Sequence, residues 1–506
     1  MSTFAQQQSA PLLHSSTSSR FAGRPQSSRH ATVESCEPLS RTSRALAAFG
    51  VMLAGVLLVL IIVSYTNQPL LMRTFGLDRA NLHPSTSSHG GLSYQNYTSF
   101  PLLGTQYLHE CAKQMSGFMS HGDYWDAPRH HGAPMDVDHA NDPHNRICNS
   151  TITYLLDGKV GLAADLGLMA QAAALAQERN RTFFVDDTHW TRGKWTEYFE
   201  DVTSLQRGPE PGCLPPPPQE FVACPRTARH WVINSLTAKY HLGHSFEEHY
   251  EDPYGHQLNR KKPVFDMAQK SFASTIRPNE EMRTLIKIAK VEFLRKFPRE
   301  SEQLEADKHT TLHRSYYSVH IRRGDRIPHG WMHHRKPIAT QVYIDAIFQR
   351  LHKSDSLIQS SQSPVVYLAS DSPPMLEQFA EAYNGTTFSL PGSKHSELNI
   401  LASPQDYHQE MFDKLPLQAR RKATKGALID LALITGLWGG EQEPRLDSAV
   451  VSVSSNFGRL AAIGLGWEGA FGNVDEMGDI DNTRKKWIDV DLQGTELPVW
   501  QAFELF

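Results

Sequence analysis

An excess of charge of one sign is missing from this sequence. Lys and Arg total 50 against 54 Asp and Glu, a formal net charge of −4 over 506 residues. With a total charge this close to neutral and no basic patch in the sequence, nothing argues for a nucleic-acid partner. Internal repeats are also missing, which excludes solenoid and propeller architectures. Cysteine is scarce, with five in the whole chain. Aromatic residues are nearly absent from residues 1–44, a stretch rich in Ser, Thr, Gln and Arg. It cannot bury enough apolar surface to fold alone and reads as a disordered tail.

One long uncharged apolar run stands out, Ala45 to Tyr65. As a helix it rises about 31 Å, enough to cross a bilayer core. It is too long and too far from residue 1 for a cleaved signal peptide. Arg20, Arg24, Arg29, Arg41 and Arg44 precede it, against Glu34 and Glu37. The positive-inside rule leaves that side in the cytosol. A single-pass type II protein is expected: tail 1–44, signal anchor 45–65, stem 66–100, and a lumenal portion in a Golgi-type membrane. Cys36 stays on the cytosolic side. The other four, Cys111, Cys148, Cys213 and Cys224, suit two disulfides in a secretory compartment. Chain order suggests Cys111–Cys148 and Cys213–Cys224, one of three pairings. Sequons at Asn96, Asn149 and Asn384 fit lumenal glycosylation. A fourth at Asn180, between a helix and a strand, is expected to be the least accessible.

About 400 lumenal residues exceed one ordinary core, and two domains are expected, 101–300 and 301–506. Short continuous apolar runs alternate with helical patterns: a helix at 165–177, then a strand at 182–187. A strand at 316–321 and a helix at 338–352 follow. Another strand lies at 364–369 and a helix at 374–383, then a helix at 427–437 and a strand at 449–454. Apolar residues at 282, 285, 286, 289, 293 and 297 mark one helix face. Buried strands between helices indicate parallel sheets covered on both faces, an α/β fold.

Four polar segments fall at strand ends or on an adjoining helix in the C-terminal half. Ser318-Val319-His320-Ile321-Arg322-Arg323-Gly324-Asp325 ends a strand in two arginines and a carboxylate. Arginine suits bidentate contact with phosphate oxygens. Tyr367-Leu368-Ala369-Ser370-Asp371 ends a second strand in an acid. Asp430 is an acid on an otherwise apolar helix. Ser454-Ser455-Asn456 turns a strand into a helix, where backbone N–H groups and the helix dipole meet an anion. In α/β proteins ligands bind beyond the carboxyl ends of the strands.

The order and residues of these segments resemble the fucosyltransferase superfamily: the α1,6-fucosyltransferases of N-glycan cores and their α1,2 and protein O-fucosyltransferase relatives. The His-x-Arg-Arg element stands at His320–Arg323, in the Arg-Arg-Gly-Asp form of the α1,2 branch. Asp371 with its strand resembles the second α1,6 motif. Leu428–Leu431 with Ser454–Arg459 resembles the third. Gly167–Gln171, then Phe183–Phe199 with Trp190 and Trp195, is similar to the family's N-terminal loop, helix and strand. The resemblance covers roughly residues 155–200 and 315–470.

It implies a GT-B fold, two facing Rossmann-like domains with the nucleotide sugar held by 301–506 and the acceptor on the side of 101–300. It implies inverting transfer of fucose from GDP-fucose to a glycan or glycoprotein, with no cofactor and no metal. Arg322 would hold the β-phosphate with Arg323 beside it. His320 and Asp430 would face guanine, Asp371 would complete the donor site, and Ser454 and Ser455 would donate to phosphate. Gly167 would admit the diphosphate to the backbone. The α1,6 family carries an acid a few residues beyond its arginines; Ile327–Trp331 has none. Asp325, His329 and Asp187 are the groups that could serve as base instead, and the choice among them stays open; Arg322 and Asp325 are the expected catalytic pair.

Two rival readings carry different chemistry. Asp136-Val137-Asp138, Asp479-Ile480-Asp481 and Asp489-Val490-Asp491 match the Asp-x-Asp of metal-dependent nucleotide-sugar transferases. Histidines 121, 130, 131, 139 and 144 lack regular ligand spacing and read as a solvated loop. The missing acid near Gly330 fits a catalytically silent, membrane-anchored sugar- or nucleotide-binding module.

Overall fold

A computed structural model describes residues 94–114, 137, 139, 146–224, 228–242, 259, 262–297, 314–325, 336–353, 363–440 and 444–491. The tail 1–44, the anchor 45–65, most of the stem, Cys36, Asp136, Asp138 and His329 lie outside the described residues. Among the described residues no helix is long and apolar enough to cross a membrane.

Two all-parallel sheets organise these residues. The first joins β1 (Thr151–Leu155), β2 (Thr182–Asp186) and β3 (His230–Ile233) in the order β2-β1-β3. The second joins β4 (Ser315–Ile321), β5 (Val366–Ser370), β6 (Thr387–Phe388), β7 (Arg445–Val451) and β8 (Trp487–Asp489) in the order β6-β5-β4-β7-β8. The expected α/β class is what the chain forms. Parallel strands need crossover connections, and these are supplied by helices.

The helix Leu162–Glu178 buries every residue from Leu162 to Ala176. That explains its Ala-rich sequence: small side chains let neighbours approach on all sides, and no polar stripe is needed. The helix Glu280–Leu294 shows one apolar face, and Asn279 caps it by accepting from Met282 N at 3.0 Å. Such a cap contributes about 1 kcal/mol. Its Phe293 ring packs 5.0 Å from Tyr316 of β4 and 5.6 Å from Tyr367 of β5. The helix expected at 427–437 spans Leu417–Thr435 and ends on Gly436, whose φ of 69° only glycine adopts freely. Its first half is polar, which hides it from a search for apolar periodicity.

The second sheet separates two cores by the period-2 rule. Tyr317, Val319 and Ile321 of β4 face one cluster with Tyr343 and Ile347. Tyr316 faces the other, which continues through the first sheet and the helices between. Ser318 donates to the Ile434 carbonyl at 2.8 Å on that same side.

Two sequence expectations are corrected. The disulfides are Cys111–Cys224 and Cys148–Cys213. The fold brings the end of the 213–224 loop beside the helix Gly104–Gln114 and its beginning beside the strand entering β1, so chain order misleads. Asn180 is exposed in a left-handed turn, φ 51°, at the end of the Leu162–Glu178 helix, rather than the least accessible sequon. Asn96, Asn149 and Asn384 are exposed as well.

Candidate functional site

A cavity of about 490 Å³ opens where the carboxyl ends of β4 and β5 meet the start of the Leu162–Glu178 helix. The volume lies within the range of small-molecule sites. His320, Arg322, Asp325, Asp371, Asp430, Ser454 and Ser455 all line it. Two expected residues do not. Gly167 sits inside its helix, buried, and the helix start from Gly161 to Ala164 forms the wall instead. No atom lies within 4 Å of where a Cβ on Gly161 would stand, so the backbone there is open to a ligand. Arg323 turns away, with Nε 3.1 Å and Nη2 3.0 Å from Met375 Sδ.

Strand alternation explains the divergence of the two arginines. His320 and Arg322 share the β4 face that meets the Leu417–Thr435 helix; Arg323 falls on the opposite face, where the Pro373–Ala382 helix packs. Arg322 then lies in an acidic clamp. Its Nη1 donates to Asp371, and its Nη2 donates to Asp325 Oδ1 at 2.7 Å. Asp371 also accepts from Arg323 N at 2.7 Å, and Asp325 Oδ2 accepts from Gln409 N at 2.9 Å. The clamp fixes the guanidinium in the cavity wall without exhausting its five donors. Burial raises the Asp371 carboxyl, and the Arg322 charge works against that rise. Gly324 is required by packing here: a Cβ would meet the Tyr407 carbonyl oxygen and Asp371.

His320 is buried and stacks on Phe457, centroids 5.1 Å apart and planes 11° from parallel. Burial, helped by the Arg322 charge, lowers its pKa to about 3, so the ring is neutral at physiological pH. Its Nδ1 has no hydrogen-bond partner. Asp430 accepts from Tyr367 Oη at 2.7 Å, and burial pushes its carboxyl up to about 7. A neutral imidazole and a half-titrated carboxyl in one apolar corner suit a heterocycle that presents N–H donors.

The Ser454–Ser455 turn is built by acids further along the chain. Asp491 Oδ2 accepts from Ser454 N at 2.7 Å and from Ser452 Oγ at 2.6 Å, and Asp489 Oδ1 accepts from Val453 N at 2.9 Å. The pair Asp489 and Asp491 is therefore buried and engaged as scaffold, not displayed as a metal-binding Asp-x-Asp. Asp481 caps its own turn, accepting from Thr483 N at 2.9 Å. Ser455 precedes the helix Asn456–Phe471 but makes no side-chain cap bond. Ser455, Asn456 and Phe457 line the cavity, and a helix start of this kind offers hydroxyl and N–H donors to an anion.

The chain is similar to solved fucosyltransferases. A NodZ α1,6-fucosyltransferase soaked with GDP-fucose superposes with a TM-score of 0.32 at 15% identity, over 62% of this chain and 92% of that one. The fucosyltransferase NodZ from Bradyrhizobium gives 0.31 at 16%, over 62% and 91%. A mutant of Arabidopsis thaliana FUT1 in complex with GDP gives 0.34 at 11%, over 63% and 69%. No protein-family model and no curated protein matches the chain. Superpositions this loose carry no residue across, and the cavity is read on its own side chains.

Several lining residues escape a sequence reading. Arg192, from the loop after β2, is buried and reaches the same cavity. Its guanidinium lies 4.2 Å above the Phe412 ring and donates to Thr424 Oγ1 at 3.3 Å and Tyr407 Oη at 3.4 Å. It thus ties the first sheet's loop to elements around the second. Tyr407, Gln409 and Phe412 line the cavity from the segment before the Leu417–Thr435 helix. A lone arginine in a loop gives no sequence signal; only the flanking Trp190 and Trp195, buried 6.2 Å apart, mark the stretch as structured. Asp187 does not line the cavity. It accepts from Lys194 Nζ at 2.8 Å and Trp195 N at 2.7 Å, so it is engaged in shaping its loop.

Proposed function

We propose that this protein is an inverting, metal-independent fucosyltransferase of GT-B architecture that takes GDP-fucose as donor and a glycan or glycoprotein as acceptor. The observation that carries the reading is Arg322, fixed by Asp371 and Asp325 in the cavity wall at the end of β4. A leaving nucleoside diphosphate develops negative charge, and a preorganised guanidinium meets it without reorganisation at the moment of reaction. Arg192 supplies a second cationic group to the same cavity, donating to Tyr407 Oη while Arg322 lies 5.5 Å from the Tyr407 ring. The first turn of the Asn456–Phe471 helix adds N–H donors.

Asp430, His320 and Phe457, which also line the cavity, suit a guanine base. Its N1–H and N2–H₂ edge offers two adjacent donors, and the Asp430 carboxylate accepts both. His320 and Phe457 give the base an apolar, polarisable neighbour. In the transfer step an acceptor hydroxyl oxygen attacks the anomeric carbon from the face opposite GDP. The C–O bond to the β-phosphate breaks, GDP carries off the electron pair, and the hydroxyl proton passes to a carboxylate. Asp325 is the acid we assign to that role: it lines the cavity three residues from Arg322, and its bonds to Arg322 Nη2 and Gln409 N must loosen for it to take the proton.

Two disulfides and exposed sequons support a lumenal setting, and the apolar run Ala45–Tyr65 supports a single-pass type II anchor in the Golgi membrane. Incubation with radiolabelled GDP-fucose, GDP-mannose and UDP-galactose in EDTA, against a panel of glycoprotein acceptors, tests the reading. Label transfer from GDP-fucose alone is the expected result. Transfer only from the UDP sugar, or only after Mn²⁺ is restored, contradicts it.

A further inference from the structure

We propose that His139, Glu220 and His230 bind one Zn²⁺ at the amino end of the three-stranded sheet, away from the donor cavity. His230 is the first residue of β3 and Glu220 the last of the turn Pro218–Glu220. Glu220 Oε2 lies 2.6 Å from His139 Nε2 and 4.0 Å from His230 Nε2. One ligand atom from each of the three residues lies within 4.8 Å of the others. Around a tetrahedral zinc with bonds of about 2.0–2.1 Å, ligand atoms stand about 3.3 Å apart. A movement of about 1 Å therefore converts this arrangement into a ligand set. Two imidazoles and a carboxylate are a zinc donor set that leaves a fourth position for water.

The second observation is the state of His230. It is 1% exposed, and its Nε2 has no hydrogen-bond partner while facing the Glu220 carboxylate. Its Nδ1 lies 3.1 Å from Thr151 Oγ1. If the ring is protonated on Nδ1, that bond points a bare lone pair at a carboxylate oxygen. If it is protonated on Nε2, the N–H is buried without an acceptor in range. Both states leave a buried polar group unsatisfied, which native proteins rarely tolerate. A cation between the two residues resolves it, and Thr151 then acts as the outer partner that orients the ligand ring. The other neighbouring cluster, Cys148, Glu210 and Cys213, is different, because both sulfurs are spent in the disulfide.

The ion would staple the strand that begins at His230 to the turn at Glu220 and to the segment carrying His139. The test is elemental analysis of the purified full-length chain after exposure to Zn²⁺ and gel filtration, with Co²⁺ as a spectroscopic probe. About one zinc per chain is expected, with a visible Co²⁺ band of tetrahedral intensity. Glu220→Gln preserves shape and is expected to weaken zinc about tenfold or more, as is His139→Ala. His230→Ala opens a buried void, so Glu220→Gln carries the decision. Absence of bound zinc in the natural chain, or equal retention by Glu220→Gln, overturns the proposal.

Discussion

The two sheets carry the same device with different outcomes. In each, a tyrosine on a strand donates to an aspartate buried on an apolar helix: Tyr154 to Asp165 at 3.3 Å, and Tyr367 to Asp430 at 2.7 Å. Burial raises both carboxyls, Asp165 to about 8, with the nearby Asp157 charge adding to it, and Asp430 to about 7. Yet only Asp430 lines the cavity. A perturbed acid marks burial; access decides whether the perturbation is available to a ligand. The same division runs through the molecule. Strand ends of the five-stranded sheet furnish charged and hydroxyl groups, whereas the three-stranded half furnishes a helix start, Arg192 and both disulfides.

Substitutions on the two sheets should have different consequences. Arg322→Ala is expected to lower turnover by about a hundredfold or more, the scale of losing one preorganised electrostatic donor. Circular dichroism should remain natural, because the stranded Asp371 can take up a proton. Asp430→Asn is expected to weaken GDP about 10–100-fold, the worth of a buried charge-assisted contact. It should also abolish a pH dependence. Only the carboxylate accepts both guanine donors, so GDP affinity should rise as pH climbs from 6 to 8, and calorimetry at three pH values reads this. Arg192→Ala should weaken GDP about tenfold, as expected for a second cation already tied to Tyr407 and Thr424.

Asp165→Asn should leave GDP affinity within about twofold and act on stability instead. The folded-state pKa is raised, so the native chain binds a proton that the unfolded chain has released between roughly pH 4 and pH 8. Stability from this group is therefore lost as pH rises through that window. The variant should gain stability over the natural chain at pH 8 and not at pH 4, read from urea midpoints. His320 runs the other way: its lowered pKa makes acid, below about pH 6.5, destabilising.

Much of this was legible in the residues. Apolar runs bounded by turns gave β2, β4 and β5; the strand expected at 449–454 is β7, Arg445–Val451, with Ser452–Ser454 already in the turn, and strand-end chemistry gave the second sheet's contribution to the cavity. The losses have physical causes. β3 has four residues, too few for a periodic signal. The Leu417–Thr435 helix begins in Gln418, Arg420, Arg421 and Lys422, whose polarity suggests a loop. The family resemblance puts Gly167 at the donor, but Gly167 is buried inside its helix and Gly161, where the helix starts, lines the cavity. The resemblance sets Arg323 beside Arg322, whereas period 2 sends it to Met375. Disulfide partners depend on tertiary proximity, which chain order does not encode.

On the proposed function, the cavity around Arg322 recognises a guanosine diphosphate without a metal. Isothermal titration of the full chain with GDP, UDP and CMP in EDTA tests it most directly. Binding of GDP alone, lost in Arg322→Ala, is the expected result. Equal binding of all three nucleotides, GDP binding unchanged in that variant, or no binding until Mn²⁺ is supplied would contradict it.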